Sequence, residues 1–146
     1  MHYIKLTIIV TVLAILGGCA SIDCKPDKLR TGYALPGTNT VVIGVSLDKN
    51  GIPKESFKDI VLYPGQTALF AGPDEFAIVF KNKKTPNGRV ENKSAGGTVA
   101  IKIPEGILEQ AEFVEEFRKN DSLTFDYAIR VNGRELDPPM IIKREN

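Results

Sequence analysis

Leu123-Thr124-Phe125-Asp126-Tyr127-Ala128-Ile129-Arg130-Val131-Asn132-Gly133-Arg134-Glu135-Leu136 is the stretch that decides the fold. Leu123, Phe125, Tyr127, Ile129 and Val131 recur at every second position, the period of a strand with one face in a core. Asn132-Gly133 follows them, a pair that accepts the positive φ angles of a tight hairpin. Arg134 to Leu136 begins the return strand, and Met140 to Lys143 continues it after Asp137-Pro138-Pro139. Proline cannot donate to a ladder, so an edge position or a break is expected there.

The same grammar runs upstream. Thr40 to Asp48 is dense in β-branched residues and meets a turn at Asn50-Gly51. Ser56 to Tyr63 is a second strand candidate, and Pro64-Gly65-Gln66 turns the chain into Thr67 to Ala71. Gly72-Pro73 leads into Glu75 to Phe80, where Phe76, Ile78 and Phe80 share a face. Lys81 to Ala95 reads as a polar loop centred on Pro86-Asn87-Gly88, and Gly97 to Ile103 as a further strand. One helix is expected from Glu105 to Lys119, with Ile107, Leu108, Ala111, Val114 and Phe117 three or four apart. Its acidic Glu105 and Glu109 and basic Arg118 and Lys119 complement the helix dipole, and Asn120-Asp121 ends it. Short strands separated by turns predict a mainly β, antiparallel two-sheet sandwich with one short helix over residues 40–146.

The N-terminus carries a different signal. His2 and Lys5 give a weakly positive start, and Leu6 to Leu16 is apolar apart from Thr7 and Thr11. That run is shorter than the roughly 20 residues a bilayer crossing needs. Leu16-Gly17-Gly18-Cys19 closes it and resembles the lipobox of bacterial lipoproteins. The resemblance covers residues 1–19. It implies cleavage between Gly18 and Cys19, diacylglycerol on the Cys19 sulfur, and acylation of the new amino group by a fatty acid such as palmitate. Ala20 stands where such proteins carry an Asp for retention at the inner membrane, which implies an outer-membrane anchor facing the periplasm. Residues 1–18 are then a signal peptide, and residues 19–39 the lipidated cysteine and a flexible tether. Pro26, Gly32, Pro36 and Gly37 break periodicity there. A coil of that length reaches roughly 25 Å. Tyr33, Ala34 and Leu35 are expected to dock back on the domain.

Pro64-Gly65-Gln66-Thr67, the strand Phe76-Ala77-Ile78-Val79-Phe80 and the closing stretch from Tyr127 to Pro138 resemble small bacterial extracytoplasmic domains of the cupredoxin-like or immunoglobulin-like sandwich type. The resemblance covers residues 40–143 and implies a fold. It carries over no ligands, because copper-binding cupredoxins use two His, a Cys and often a Met. Beyond Cys24 this chain has only Met140 of that set.

Cleavage after Gly18 also changes the chemistry available. The single His of the chain, His2, leaves with the signal. That removes Ser-His-Asp and Cys-His arrangements and His-based metal sites. Loss of Lys5 takes the 19 basic residues to 18, equal to the 18 acidic ones, which argues against nucleic acid as a partner. Cys24 becomes the free thiol, either idle in the tether or paired with Cys24 of a second chain. Asp48-Lys49-Asn50-Gly51 opens like a calcium loop, but its glycine comes early and no Glu follows at the ligand spacing, so it reads as a turn. Asp121, Asp126, Glu135 and Asp137 are the carboxylates that could gather at one end of the sandwich. Ser94-Ala95-Gly96-Gly97 lacks the flanks of a nucleophile elbow. No catalytic residue, metal site or cofactor is assigned.

Lys81, Lys83, Lys84, Arg89 and Lys93 face Glu91 alone in the loop after the Phe80 strand. Such a loop is either a solvated connection or an electrostatic dock for an envelope protein, peptidoglycan or anionic lipid. These readings predict a membrane-anchored, noncatalytic envelope lipoprotein that binds or supports another component. The alternatives are an accessory lipoprotein of a secretion or envelope assembly and a His-independent hydrolase working through carboxylates.

Overall fold

A computed structural model describes residues 30–145. The strands are β1 (Thr31–Gly32), β2 (Thr40–Leu47), β3 (Pro53–Glu55), β4 (Asp59–Leu62), β5 (Thr67–Ala71), β6 (Ala77–Phe80), β7 (Glu91–Lys93) and β8 (Thr98–Lys102). A 3-10 turn at Ile107–Glu109 and helix α1 (Val114–Asn120) precede β9 (Leu123–Val131), β10 (Arg134–Leu136) and β11 (Pro139–Ile142). One sheet runs β1-β4-β11-β9-β6-β7, with β10 also on β9, and the second runs β3-β2-β5-β8. Inward residues of both sheets form one core, including Val41, Ile43, Phe70 and Ile101 from the second and Ile60, Phe80, Phe125, Tyr127 and Met140 from the first. Among the described residues the architecture is a mainly β sandwich with one α-helix.

β9 is the backbone of the first sheet. Every alternate residue from Leu123 to Val131 is buried, as the period predicts. β6 lies along one edge, with Phe80 opposite Tyr127. β10 and β11 share the other edge in a single register, Leu136 opposite Ile129 and Pro139 opposite Asp126. The two are one hairpin arm interrupted at Asp137-Pro138. Opposite the break, the Tyr127 amide reaches the Pro138 carbonyl at 3.4 Å. The break expected from the prolines is there, but β11 is not an edge: it sits between β4 and β9. Pro139 is its first residue, where a missing N–H is tolerated.

The sheets are mixed rather than antiparallel. β2 runs parallel to β5, and β4 runs parallel to both β1 and β11. Alternation cannot reveal strand direction, because side chains alternate identically in both arrangements. β1 also draws residues expected in the tether into the sheet: Thr31 stands opposite Asp59, and Gly32 opposite Ile60. A Cβ on Gly32 would come within 2.6 Å of the Phe57 ring, so glycine is needed for that approach. Ala34 packs on the core, whereas Tyr33 and Leu35 remain exposed. The strand expected at Ser56–Tyr63 shortens to β4, and β3 forms before it, opposite Val45 to Leu47 of β2. Asp48 caps the connecting turn. Its carboxylate accepts from the Asn50 and Ile52 amides, which hold its pKa below the ordinary range, the Ile52 bond contributing most.

The expected helix over 105–119 is broken in two. Gln110 is extended, with ψ 137°, between the 3-10 turn and α1. The reason is Phe113. It is buried with its ring centroid 5.4 Å from that of Phe125, while Ala111, on the expected stripe, is exposed. A large aromatic gains more from burial than an alanine, and the chain bends to insert it. Glu115 and Glu116 then occupy the first turn of α1, and Arg118 and Lys119 the last. Asp121 ends the helix in the left-handed conformation, φ 54°. Phe113→Ala should cost about 3–5 kcal/mol in urea denaturation. Ala111→Ser should stay within about 0.5 kcal/mol, the reverse of what a continuous helix would give.

Candidate functional site

Two aromatic contacts lead from the core to the site. Tyr127 meets Phe70 of the second sheet edge-on, with centroids 5.5 Å apart, and Phe80 at 6.2 Å. Wedged between these rings, its hydroxyl cannot reach water and must find an acceptor inside. It donates to Glu55 Oε2 at 2.8 Å. Glu55 belongs to β3, so this bond joins the two sheets. Period 2 explains the carboxylate's position. Pro53 and Glu55 point inward, while Lys54 between them points to solvent.

Glu55 is 8% exposed, and its second oxygen, Oε1, accepts no hydrogen bond among the described residues. Asp59 repeats the arrangement nearby, its Oδ1 buried and unpartnered. Burial raises the Glu55 pKa most, and the Asp59 charge adds to it. The Tyr127 hydrogen bond opposes both, and the balance lies at about 7. Burial and the Glu55 charge push the Tyr127 hydroxyl well above its ordinary value, so it stays a donor.

Glu55 opens onto a cleft of about 540 Å³ between the β3–β4 connection and the broken arm of the β9 hairpin. Phe57, Leu136, Pro138 and Pro139 give it apolar walls, and Lys54, Lys58 and Asp137 also line it. Its volume is in the range of small-molecule sites, and an apolar cleft with few convergent polar groups is their usual composition. β3 and β10 each pair with one strand only, so the cleft lies where the sandwich is open. Sequence reading missed this site. Glu55 lay just outside an expected strand, the prolines were read as a break alone, and Asp137 was weighed only among the carboxylates that could gather at one end of the sandwich. The available signal was the inward phase of Glu55 relative to Pro53.

The basic loop is more ordered than its composition predicts. β7 forms within it and pairs with β6. Asn87 accepts from Thr85 and the Arg89 amide and donates to Asn92, which fixes the turn around buried Pro86. Lys84 is folded inward. Its ammonium donates to Glu116 at 2.6 Å and to the Thr124 carbonyl at 2.6 Å, 5.0 Å from the Phe125 ring centroid. Lys81 pairs with Asp137 at 2.6 Å. Among the described residues, Lys83, Arg89 and Lys93 have no ion-pair partner. The five cations are therefore divided between internal ties and surface. The carboxylates singled out in the sequence are divided too: Glu135 holds Arg130 at 2.6 Å, Asp137 holds Lys81, and Asp121 caps α1. The Ser94 hydroxyl donates to the Asp74 carbonyl and accepts the Phe76 amide, a clip between loops. Gly18, Cys19 and Cys24 lie outside the described residues.

Glu55 gives stability a definite pH dependence. Its folded pKa is raised from 4.5 to about 7. Its contribution is therefore complete below the unfolded value and is lost as pH rises through the folded one. Unfolding free energy should fall by on the order of 2–3 kcal/mol between about pH 4.5 and 7.5 and then level off. Glu55→Gln should flatten that slope in urea titrations at several pH values. In the loop, Lys84→Ala should cost about 1–2 kcal/mol, because it strands Glu116 and the Thr124 carbonyl. Lys83→Ala, at an exposed position, should stay within about 0.5 kcal/mol by the same measurement. No family model and no curated protein matches the chain.

Proposed function

We propose that this chain is a lipid-anchored protein of the bacterial cell envelope whose sandwich is a noncatalytic binding module for another envelope component. The observation that carries the reading is Cys19 in Leu16-Gly17-Gly18-Cys19, directly after an apolar run too short to span a bilayer. Processing there would leave several acyl chains on one residue, which hold a protein far more firmly than one chain does. Ala20 favours the outer membrane, with the domain facing the periplasm.

The domain side of the reading is supported by the cleft at Glu55. Phe57, Leu136, Pro138 and Pro139 offer apolar area at an open edge of the sandwich. The processed chain would contain no histidine, so recognition rather than acid–base turnover is the chemistry these residues suit. β1 lies against β4, so Thr31 and Gly32, expected in the tether, belong to the domain.

Growth with an alkyne-tagged fatty acid should label the wild-type protein and leave it in the membrane fraction after washing with concentrated salt. Cys19→Ala should abolish labelling and leave either a released or an unprocessed chain. A wild-type chain that is processed, unlabelled and soluble would overturn the anchored reading.

A further inference from the structure

We propose that the end of the sandwich around Phe57 docks on anionic phospholipid of the bilayer, with the headgroup phosphate among Arg30, Lys54 and Lys58 and the apolar part of the lipid against Phe57 and Leu136. The proposal deepens the lipid-anchored reading and rests on it. Its first ground is where the chain enters the domain. Thr31 stands beside Asp59 and Ile60 beside Met140, so the parallel strands β1, β4 and β11 start at one end of the first sheet. The residues just before them, Arg30, Lys58 and Pro138, gather at that end. The Lys58 amide donates to the Arg30 carbonyl at 3.1 Å, and Gly32 lies against the Phe57 ring. Phe57, Lys58 and Pro138 line the cleft of about 540 Å³, so the segment from Cys19 joins the domain beside it. Arg30 is eleven residues on from Cys19, a span of at most about 40 Å even when fully extended. An acylated Cys19 would confine this end near the lipid, where weak contacts suffice to dock it.

The second ground is charge. Lys54 and Lys58 line the cleft and Arg30 adjoins it. All three are exposed, and none has an ion-pair partner among the described residues. The carboxylates nearby are engaged or withdrawn. Asp137 holds Lys81 at 2.6 Å, Glu55 is buried on Tyr127, and Asp59 is half-buried at the start of β4. Asp48 is within electrostatic reach of Lys54, but it accepts two backbone amides and is also near Arg134. Each cation near an anionic leaflet favours contact about fivefold, so three give roughly a hundredfold.

The third ground is the apolar wall beside these cations. Phe57 and Leu136 are half-buried and partly open to the cleft. Apolar area next to positive charge suits an anionic amphiphile better than a hydrophilic anion. The competing surface is the basic loop after β6. It lies across the sheet, with β4, β11 and β9 between β1 and β6, and its Lys84 is folded inward.

The test places the full chain, purified from membranes, on lipid nanodiscs that carry a paramagnetic chelate on some headgroups. Amide line broadening then maps the docked face. On discs containing phosphatidylglycerol, the amides of Arg30, Lys54, Phe57, Lys58 and Leu136 should broaden most, and those of Val114–Asn120 least. Phosphatidylcholine discs and concentrated salt should each weaken that pattern severalfold. Lys54→Ala combined with Lys58→Ala should lower the ratio of docked to undocked domain roughly 25-fold. Lys54→Arg with Lys58→Arg should preserve it. If the alanine variant does not fold, the lipid and salt series on the wild type decide alone. Broadening spread evenly over the domain, or centred on Lys83, Arg89 and Lys93, would overturn the proposal. So would shifts at the Phe57 end that grow with protein concentration and ignore the lipid, the sign of a second copy on this face. Anchoring is read separately, from fatty-acid labelling at Cys19. A labelled chain with even broadening overturns docking and leaves the anchor standing. An unlabelled chain overturns the anchor, and the same map with anionic discs added to it then decides docking.

Discussion

Tyr127 brings a hydroxyl into the dry space between two sheets, and the surrounding structure must supply an acceptor for it. Leaving it unpaired would cost about 1–3 kcal/mol, a large share of the stability of a small domain. The acceptor is Glu55, 2.8 Å away on the opposite sheet. Several features follow from that one contact. β3 must sit across from β9 with Glu55 in its inward phase. Phe70 and Phe80 close over the tyrosine ring and exclude water. The carboxyl group is desolvated in turn, which raises its pKa to about 7.

The price of this cross-link is a buried carboxyl group that satisfies only one of its oxygens. Proteins usually pair such groups fully, and an orphan is a feature that calls for a physical account. The same residue that joins the sheets lines an apolar cleft, between two strands that each pair on one side. The hairpin arm contributes through its defect. Asp137-Pro138 interrupts the ladder opposite Tyr127, and the interruption forms one wall of the cleft.

Much of the sandwich was legible along the chain, and the reason is local. β9 declared itself because five apolar residues alternate without exception and Asn132-Gly133 follows. β2, β5, β6 and β8 were legible on the same grounds. What was not legible depended on competition between distant residues. Phe113 displaced Ala111 from the core because Phe125, on another element, offered an aromatic partner. Lys84 looked like a surface charge among others until Glu116 and Thr124 came beside it. Glu55 could not be distinguished from a solvated carboxylate, since only Tyr127, 72 positions away, makes it an internal one.

The sequence by itself determined the alternation that makes strands, the turns that separate them, the location of one helical segment and the export-like N-terminus with its cysteine. Tertiary structure decided strand direction, with β2 and β5 parallel and β1, β4 and β11 parallel, since a period of two is blind to direction. It decided that β1 belongs to the domain, that the helix begins only at Val114, and that two of the loop lysines serve the fold. Above all it decided the site. Burial, pairing and a shifted pKa are properties of a residue's surroundings, and the surroundings of Glu55 exist only once the two sheets have closed over it.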